Sequence, residues 1–196
     1  MEQAKYNNMI SQQNLYFLNN LKTILNDIKP HRIIEIGTSR GATTLLLSDL
    51  LVELGLPDSK IKSFDIHKRP HLRDVSRSNL ELYIGNIFIY HETKLSNPEE
   101  IVDFLSRDKV NLILCDGGNK IAEFNILSQY LKKGDIIMAH DYSPDKDTFN
   151  KEYKDKIWNW LEISDKDIED SVNQYNLEPY NMELIKPTAW VAKIKK

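Results

Sequence analysis

The stretch Ile33-Ile34-Glu35-Ile36-Gly37-Thr38-Ser39-Arg40-Gly41-Ala42-Thr43-Thr44 decides how the rest of the chain is read. Its first four residues are β-branched and apolar on both faces except at Glu35, the pattern of a strand buried in the middle of a sheet. Gly37 and Gly41 then permit a tight turn and a close approach to the backbone. Thr38 and Ser39 are candidate caps for the following helix, whose free N–H groups and dipole would face whatever binds there. A strand that passes through a glycine turn into a helix is the layout of a nucleotide-type cofactor site, at the carboxyl end of a parallel strand.

Downstream, the pattern repeats. A helix runs on to Leu54, with Leu46, Leu50 and Leu54 as a stripe, Leu47 and Leu51 beside it, and Gly55 and Pro57 as its stop. Residues 61–64 form a second strand ending at Asp65-Ile66-His67, and residues 80–84 a third ending at Gly85-Asn86. Asn97-Pro98-Glu99-Glu100 opens a helix with a cap, a proline at the first position and acids against the dipole. Residues 110–115 are a buried strand leading to Asp116-Gly117-Gly118-Asn119. The next helix carries Ile121, Phe124, Leu127 and Leu131 and is ended by Gly134. Residues 136–139 form a fifth strand that enters His140-Asp141-Tyr142. Strand and helix alternate without an internal repeat or linker. They predict an α/β fold: a doubly wound, mostly parallel sheet with helices on both faces.

The flanks complete the pattern. Apolar residues from Ile10 to Ile28 recur at largely helical spacing, so a helix is expected over about residues 11–28, stopped by Pro30 and covering the sheet or the pocket. Trp158, Trp160, Leu161 and Ile163 suggest a further helix, with Trp158 and Leu161 in the core. Tyr142, Phe149, Tyr153, Trp158 and Trp160 all follow the fifth strand, and aromatics near a site can instead shape a substrate pocket. Ser164 opens an acidic helix ending near Tyr175. Residues 182–185 and 189–194, separated by Lys186-Pro187-Thr188, read as an antiparallel hairpin.

The chain of 196 residues is expected to be a single domain, with residues 1–29 a helical segment and 30–196 the core. A net charge of −3 gives no bulk attraction to nucleic acid or an anionic membrane. Cys115 is the single cysteine, which excludes an intrachain disulfide and a cysteine-cluster metal site, and its apolar run reads as an inert buried thiol. The N-terminus lacks a signal-like apolar core, and no stretch approaches the ~20 apolar residues of a membrane span. These features fit a cytoplasmic enzyme or binding protein of undetermined oligomeric state.

Spacing narrows the cofactor. The dinucleotide fingerprint G-x-G-x-x-G and the phosphate loop G-x-x-x-x-G-K-[ST] are both absent. What stands here, Glu35-x-Gly37-x-x-x-Gly41, resembles motif I of the class I S-adenosylmethionine-dependent methyltransferases. That resemblance implies a loop around the methionine and sugar of S-adenosyl-L-methionine, with Glu35, Gly37, Thr38, Ser39, Gly41 and Thr43 as candidate contacts. Asp65, 28 residues beyond Gly37, takes the motif II position for the ribose hydroxyls, with Ile66 beside it. Asn86 takes a position near adenine, and Asp116 is a further cofactor candidate. The terminal hairpin matches the family's closing pair, giving a Rossmann-like sheet of seven strands.

Leu114-Cys115-Asp116-Gly117-Gly118-Asn119, Lys132-Lys133-Gly134-Asp135-Ile136-Ile137 and Ala139-His140-Asp141-Tyr142 resemble one branch in particular. It comprises small-molecule O-methyltransferases akin to those acting on macrolide sugars and in the cephalosporin pathway. Members typically read Asp-Gly-x-His-x-Tyr, whereas Asn119 and Ile121 stand here, and His140 replaces an acid found in several metal-dependent members. The resemblance implies Asp116, His140 and Asp141 as catalytic residues and as candidate ligands of a divalent metal such as Mg²⁺ or Mn²⁺. An imidazole in the set suits Mn²⁺, Fe²⁺ or Zn²⁺ better than Mg²⁺, which prefers oxygen. The expected function is methyl transfer to a hydroxyl of a small-molecule acceptor, a sugar being one candidate. The alternatives are a non-catalytic cofactor-binding module and a nicotinamide-dependent oxidoreductase. His67 and His71, around Lys68-Arg69-Pro70, read as exposed loop residues that could approach a substrate.

Overall fold

A computed structural model describes residues 4–67, 77–89, 94–106 and 109–196. His71 and the Lys68-Arg69-Pro70 run lie outside the described residues. Seven strands make the central sheet: β1 (Arg32–Ile36), β2 (Lys60–Asp65), β3 (Leu80–Ile84), β4 (Asn111–Cys115), β5 (Ile136–Ala139), β6 (Leu177–Pro179) and β7 (Val191–Lys195). Their order is β6-β7-β5-β4-β1-β2-β3. β1 to β5 are mutually parallel where they pair, while β7 runs antiparallel to β5 and β6 antiparallel to β7. This is the expected doubly wound, seven-stranded sheet with an antiparallel hairpin at one edge.

The period-2 alternation of buried strands divides the core into two layers. Ile34, Ile36, Ile113, Cys115, Ile137 and Ala139 face one side, where α3 (Pro98–Leu105), α4 (Lys120–Ser128) and α6 (Asp165–Gln174) supply Ile101, Leu105, Phe124, Leu127 and Ile168. Ile33, Leu112, Leu114, Ile136 and Met138 face the other side, where α1 (Leu15–Ile28) and α2 (Ala42–Glu53) supply Phe17, Leu21, Ile24, Leu47 and Leu51. Cys115 is fully buried in the first layer, and desolvation pushes its thiol well above the usual range, as expected of an inert thiol.

Several elements depart from the sequence reading. α1 begins at Leu15, not near residue 11, because the Asn14 side chain caps it by accepting from the Phe17 N–H. Ile10 belongs to a short hairpin, Lys5–Tyr6 with Met9–Ile10. Neither Thr38 nor Ser39 caps α2: Gly41 occupies that position in a left-handed conformation, with no side-chain cap. Of the expected leucine face, Leu47, Leu50 and Leu51 are buried and Leu46 and Leu54 pack partly buried against the same core, while Leu45 lies outside that expectation. Leu45, Leu47, Leu50 and Leu51 are the buried leucines of α2, which is covered by the sheet on one side and by α1 on another, so its burial has no single face. α4 stops at Ser128, and turns fill the distance to Gly134.

The C-terminal third differs most. No helix forms around Trp158; a short α5 (Lys146–Thr148) and a π-helical turn at Phe149–Tyr153 give way to an irregular segment through Glu162. The hairpin exists, but the partner of β7 is β6 at Leu177–Pro179, and Met182–Ile185 is a turn of helix, α7. Pro179 is tolerated because β6 lies at the sheet edge, where a missing N–H costs no ladder bond. α6 starts at Ser164 as expected, with a reciprocal cap between Ser164 and Asp167. Among the described residues, no helix is long and apolar enough to cross a membrane.

Candidate functional site

Strand register builds the site. Ile36 lies opposite Phe64 and Cys115, and Cys115 opposite Ala139, so four parallel strands end in one row. The next residues, Gly37, Asp65, Asp116 and His140, therefore form a second row across the sheet's carboxyl edge. The backbone ladder continues into it: Gly37 N–H donates to Phe64 O at 2.8 Å, Asp116 N–H to Ile36 O at 2.9 Å and His140 N–H to Cys115 O at 3.1 Å.

Gly37 is required at its place. Its φ is +96°, and a Cβ there would stand 2.2 Å from the Asp116 carbonyl oxygen. The first turn of the chain's central motif is thus packed directly on the turn after β4. Glu35 lies beneath it, buried, and accepts from Thr44 Oγ1 at 2.6 Å and Ser63 Oγ at 2.5 Å. Desolvation pushes its carboxyl up to about 7, although those two hydroxyls pull the other way.

Two cavities open along this edge. The glycine-side cavity, of 480 Å³, is lined by Gly37, Ser39, Phe64, Asp65, Ile66, Asn86, Gly117 and Glu123, among others. The histidine-side cavity, of 510 Å³, is lined by Gln13, Lys120, His140, Asp141, Trp158 and Trp160, among others. Gln12, Arg40, Asp116 and Gly117 line both, so the two spaces meet at Asp116.

The sequence candidates divide accordingly. Gly37, Ser39, Asp65, Ile66, Asn86 and Asp116 reach the glycine-side cavity, whereas Glu35, Thr38, Gly41 and Thr43 are not among its lining residues. Thr38 is buried and lies 2.6 Å from Ser63 Oγ, and Thr43 lies 3.4 Å from Ser11 Oγ. Asp65 accepts the Ser39 N–H through Oδ2 at 2.8 Å and the His67 N–H through Oδ1 at 2.7 Å. Asn86 accepts from the Phe88 N–H. His67 is exposed, as expected.

On the other side, Asp116, His140 and Asp141 come together as the sequence suggested. His140 Nδ1 lies 3.0 Å from Asp116 Oδ1 and 3.4 Å from Asp141 Oδ1. Both neighbours are carboxylates, so Nδ1 carries a proton in this arrangement. Nε2 is buried with no hydrogen-bond partner among the described residues, and the ring packs against Trp158 and Trp190 with centroids 4.8 and 5.0 Å away. Asp141 adopts a left-handed φ of +56°, which an Asp tolerates better than most residues. Its burial alone would raise its pKa; His140 and Lys120 outweigh that and hold it below the usual carboxylate value.

Four participants lie outside the expected catalytic and cofactor residues. Gln13, just before α1, donates to Asp116 Oδ2 at 2.6 Å and accepts from the Trp190 indole at 2.8 Å. Trp158, expected in the core, lines the cavity and donates its indole N–H to Asp141, because its irregular segment folds back over β5. Trp160 is exposed at the same rim, whereas Tyr142, Phe149 and Tyr153 are buried. Lys120 is buried and ion-paired with Asp141 at 2.9 Å. Glu123 accepts the N–H groups of Gly117 and Asn119 at 3.0 and 3.1 Å, fixing the turn after β4. Desolvation pushes Glu123 up to about 7, partly offset by those N–H groups. A cap followed by an acid in one helical turn, Asn119 to Glu123, was the one available hint. Asn119 itself caps α4 by accepting from the Ala122 N–H, and Ile121 packs against the core.

A family model described as "Methyltransferase domain" matches residues 34–142, more than half of the chain and the span from β1 through the site. Among solved structures, an apo structure of CmcI aligns with a TM-score of 0.66 at 12% identity, covering 98% of this chain and 76% of that one. A CmcI structure described as "Mg-SAM" aligns with a TM-score of 0.65 at 14% identity, covering 98% and 77%. MycE methyltransferase from the mycinamycin biosynthetic pathway, in complex with Mg and SAH, aligns at 0.54 and 14% identity, covering 91% of this chain and 49% of that one. No curated protein matches the chain in sequence. At such identities the structural likeness is one of fold.

Proposed function

The chain belongs to the methyltransferase-domain family, and we propose that it moves the methyl group of S-adenosylmethionine to a hydroxyl of a small molecule. The observation that carries this reading is the meeting of two cavities at Asp116. One suits a nucleoside and the other an acceptor, so a methyl group presented at the junction lies within reach of both.

In the glycine-side cavity, the turn at Gly37 lets the cofactor approach the backbone. The Asp65 carboxylate, fixed at the cavity wall by the Ser39 and His67 N–H groups, is read as the acceptor for ribose hydroxyls, and Ile66 and Asn86 flank the base. In the histidine-side cavity, two tryptophans at 5.3 Å and the amides of Gln12, Gln13 and Asn159 offer an apolar face rimmed by donors and acceptors. That combination suits a polyhydroxylated acceptor such as a sugar. A cytoplasmic setting is our reading of the single buried cysteine.

The reaction is an in-line displacement. The acceptor oxygen attacks the methyl carbon while the sulfur–methyl bond breaks, its electron pair returning to sulfur to leave S-adenosylhomocysteine. The acceptor's proton passes to the Asp116 carboxylate at the junction. His140 donates Nδ1–H to Asp116 and fixes its direction, with Trp158 and Trp190 holding the ring. His140 is thus read as a positioning residue, since its Nδ1 is directed at Asp116 and its Nε2 is buried.

One ligand atom from each of Asp116, His140 and Asp141 lies within 4.8 Å of the others, so the three form a candidate set for a divalent metal, which would have to displace the Nδ1 proton that His140 shares with the carboxylates. Those three residues would hold it, and the bound ion would lower the pKa of the acceptor hydroxyl.

Calorimetry with S-adenosylmethionine and NAD, followed by methyl transfer to a panel of glycosides, tests the reading. The expected result is binding of the first ligand alone. Asp116→Asn should lower turnover by roughly 10²–10⁴-fold, with cofactor affinity little changed. Binding of NAD in its place, or full turnover in Asp116→Asn, contradicts it.

A further inference from the structure

Lys120 has no part in the reaction just described, yet its environment is the most heavily committed in the site. It is 6% exposed. Its ammonium lies 2.9 Å from Asp141 Oδ2, 2.9 Å from Glu162 Oε2 and 2.9 Å from the Gly117 carbonyl oxygen. These partners come from three separate segments: the turn after β5, the irregular segment that carries Trp158, and the turn after β4. An ammonium has three protons, and each finds an acceptor.

Asp141 is correspondingly occupied. Oδ2 faces Lys120, and Oδ1 accepts the Trp158 indole N–H and lies 3.4 Å from His140 Nδ1. The same carboxylate is one of the three candidate metal ligands. A divalent cation ligated by Asp141 would stand beside a buried unit positive charge. In a partly dry pocket, two like charges a few ångströms apart repel strongly. The negative charge of Asp141 that would attract the ion is already compensated by Lys120.

We propose that the Lys120 ammonium is a built-in counter-cation, which competes with a divalent metal ion for Asp141 and keeps this chain's affinity for such an ion low. The acidic cluster is then held together, and the Trp158 segment tied over the pocket, by a side chain instead of an exchangeable ion. The alternative is that Lys120 is a strut between three segments, with no bearing on metal affinity. The inference rests on the methyltransferase reading for its catalytic meaning only, since the competition is between a side chain and an ion.

Titration of the purified, metal-stripped protein with Mn²⁺, followed by electron paramagnetic resonance of the free ion, separates the two. Wild type should bind Mn²⁺ with a Kd weaker than about 100 μM. Lys120→Met should bind roughly tenfold tighter or more, and Lys120→Arg, which keeps the charge, should stay within a few-fold of wild type. Low-micromolar Mn²⁺ binding by wild type overturns the proposal whether or not Lys120→Met folds. Unchanged or weaker binding by a folded Lys120→Met, checked by its melting transition, also overturns it. Calorimetry with S-adenosylmethionine on the same samples keeps the two readings apart. If wild type fails to bind S-adenosylmethionine, the methyltransferase reading fails; the Mn²⁺ series speaks to Lys120 alone.

Discussion

The two cavities share one sheet edge but are built by different means. The glycine-side cavity is a backbone construction. Its shape follows from a positive φ at Gly37, a missing Cβ against the Asp116 carbonyl, and the register of β1 with β2 and β4. The histidine-side cavity is a side-chain construction. Asp116, His140, Asp141, Lys120, Gln13 and Trp158 come from three regions distant in the chain and are joined by hydrogen bonds and ion pairs. Backbone geometry at a turn leaves few alternatives, so the first half serves any acceptor. Side-chain networks can be exchanged residue by residue, so on the proposed function the second half is where acceptor and metal preference would be set.

The sharpest way to break the contrast is at Gly37. Gly37→Ala places a methyl group where only 2.2 Å separates it from backbone. The left-handed conformation alone costs about 1–2 kcal/mol, and the clash adds to that. Melting should show a large loss of stability, and calorimetry should show loss of cofactor binding. Near-wild-type values for both would mean that the turn is not the rigid half.

A second test probes the acid beneath that turn. Glu35 is buried, and its carboxyl is pushed from 4.5 up to about 7 by desolvation. A folded-state pKa above the unfolded one means that the folded chain binds the proton more tightly. Its stabilising effect is therefore full below about pH 4.5 and is lost as pH rises through about 7. Denaturant melts at pH 5 and pH 8 should show Glu35 costing on the order of 2 kcal/mol over that interval. Glu123, also pushed up to about 7, adds a slope of the same sign, so Glu35→Gln should reduce the pH dependence by about that amount without abolishing it, and an unchanged slope would place the titration elsewhere.

The smallest effect is expected at Asn119, the position that departs from the family's Asp-Gly-x-His-x-Tyr pattern. Its side chain caps α4 by accepting from the Ala122 N–H. Asn119→Ala should cost about 1 kcal/mol of stability, measured by denaturant melts. Its kcat should stay close to wild type; a large fall in kcat would give Asn119 a place in the reaction.

The same division explains what the sequence made legible. Strands buried on both faces announce themselves as apolar runs, and parallel register then aligns their ends. Hence the sheet, the Gly37 turn and the gathering of Asp65, Asp116 and His140 were readable. Trp158 was legible only as one of several aromatics near the site: it sits in an irregular segment, and its aromatic spacing imitates a buried helix. Gln13 and Lys120 were silent because their roles arise from partners more than 20 residues away. The hairpin was half legible. Val191–Lys195 is an apolar strand, but its partner Leu177–Pro179 is three residues long and ends in proline, while the more apolar Met182–Ile185 became helix.

The most direct test is a crystal structure with S-adenosylhomocysteine bound. The account predicts the nucleoside in the cavity bounded by Gly37, Asp65 and Asn86, with its sulfur directed toward Asp116 and the tryptophan-lined space left for the acceptor. A nucleoside seated among Trp158, Trp160 and Lys120, or away from the carboxyl edge of the sheet, would contradict it.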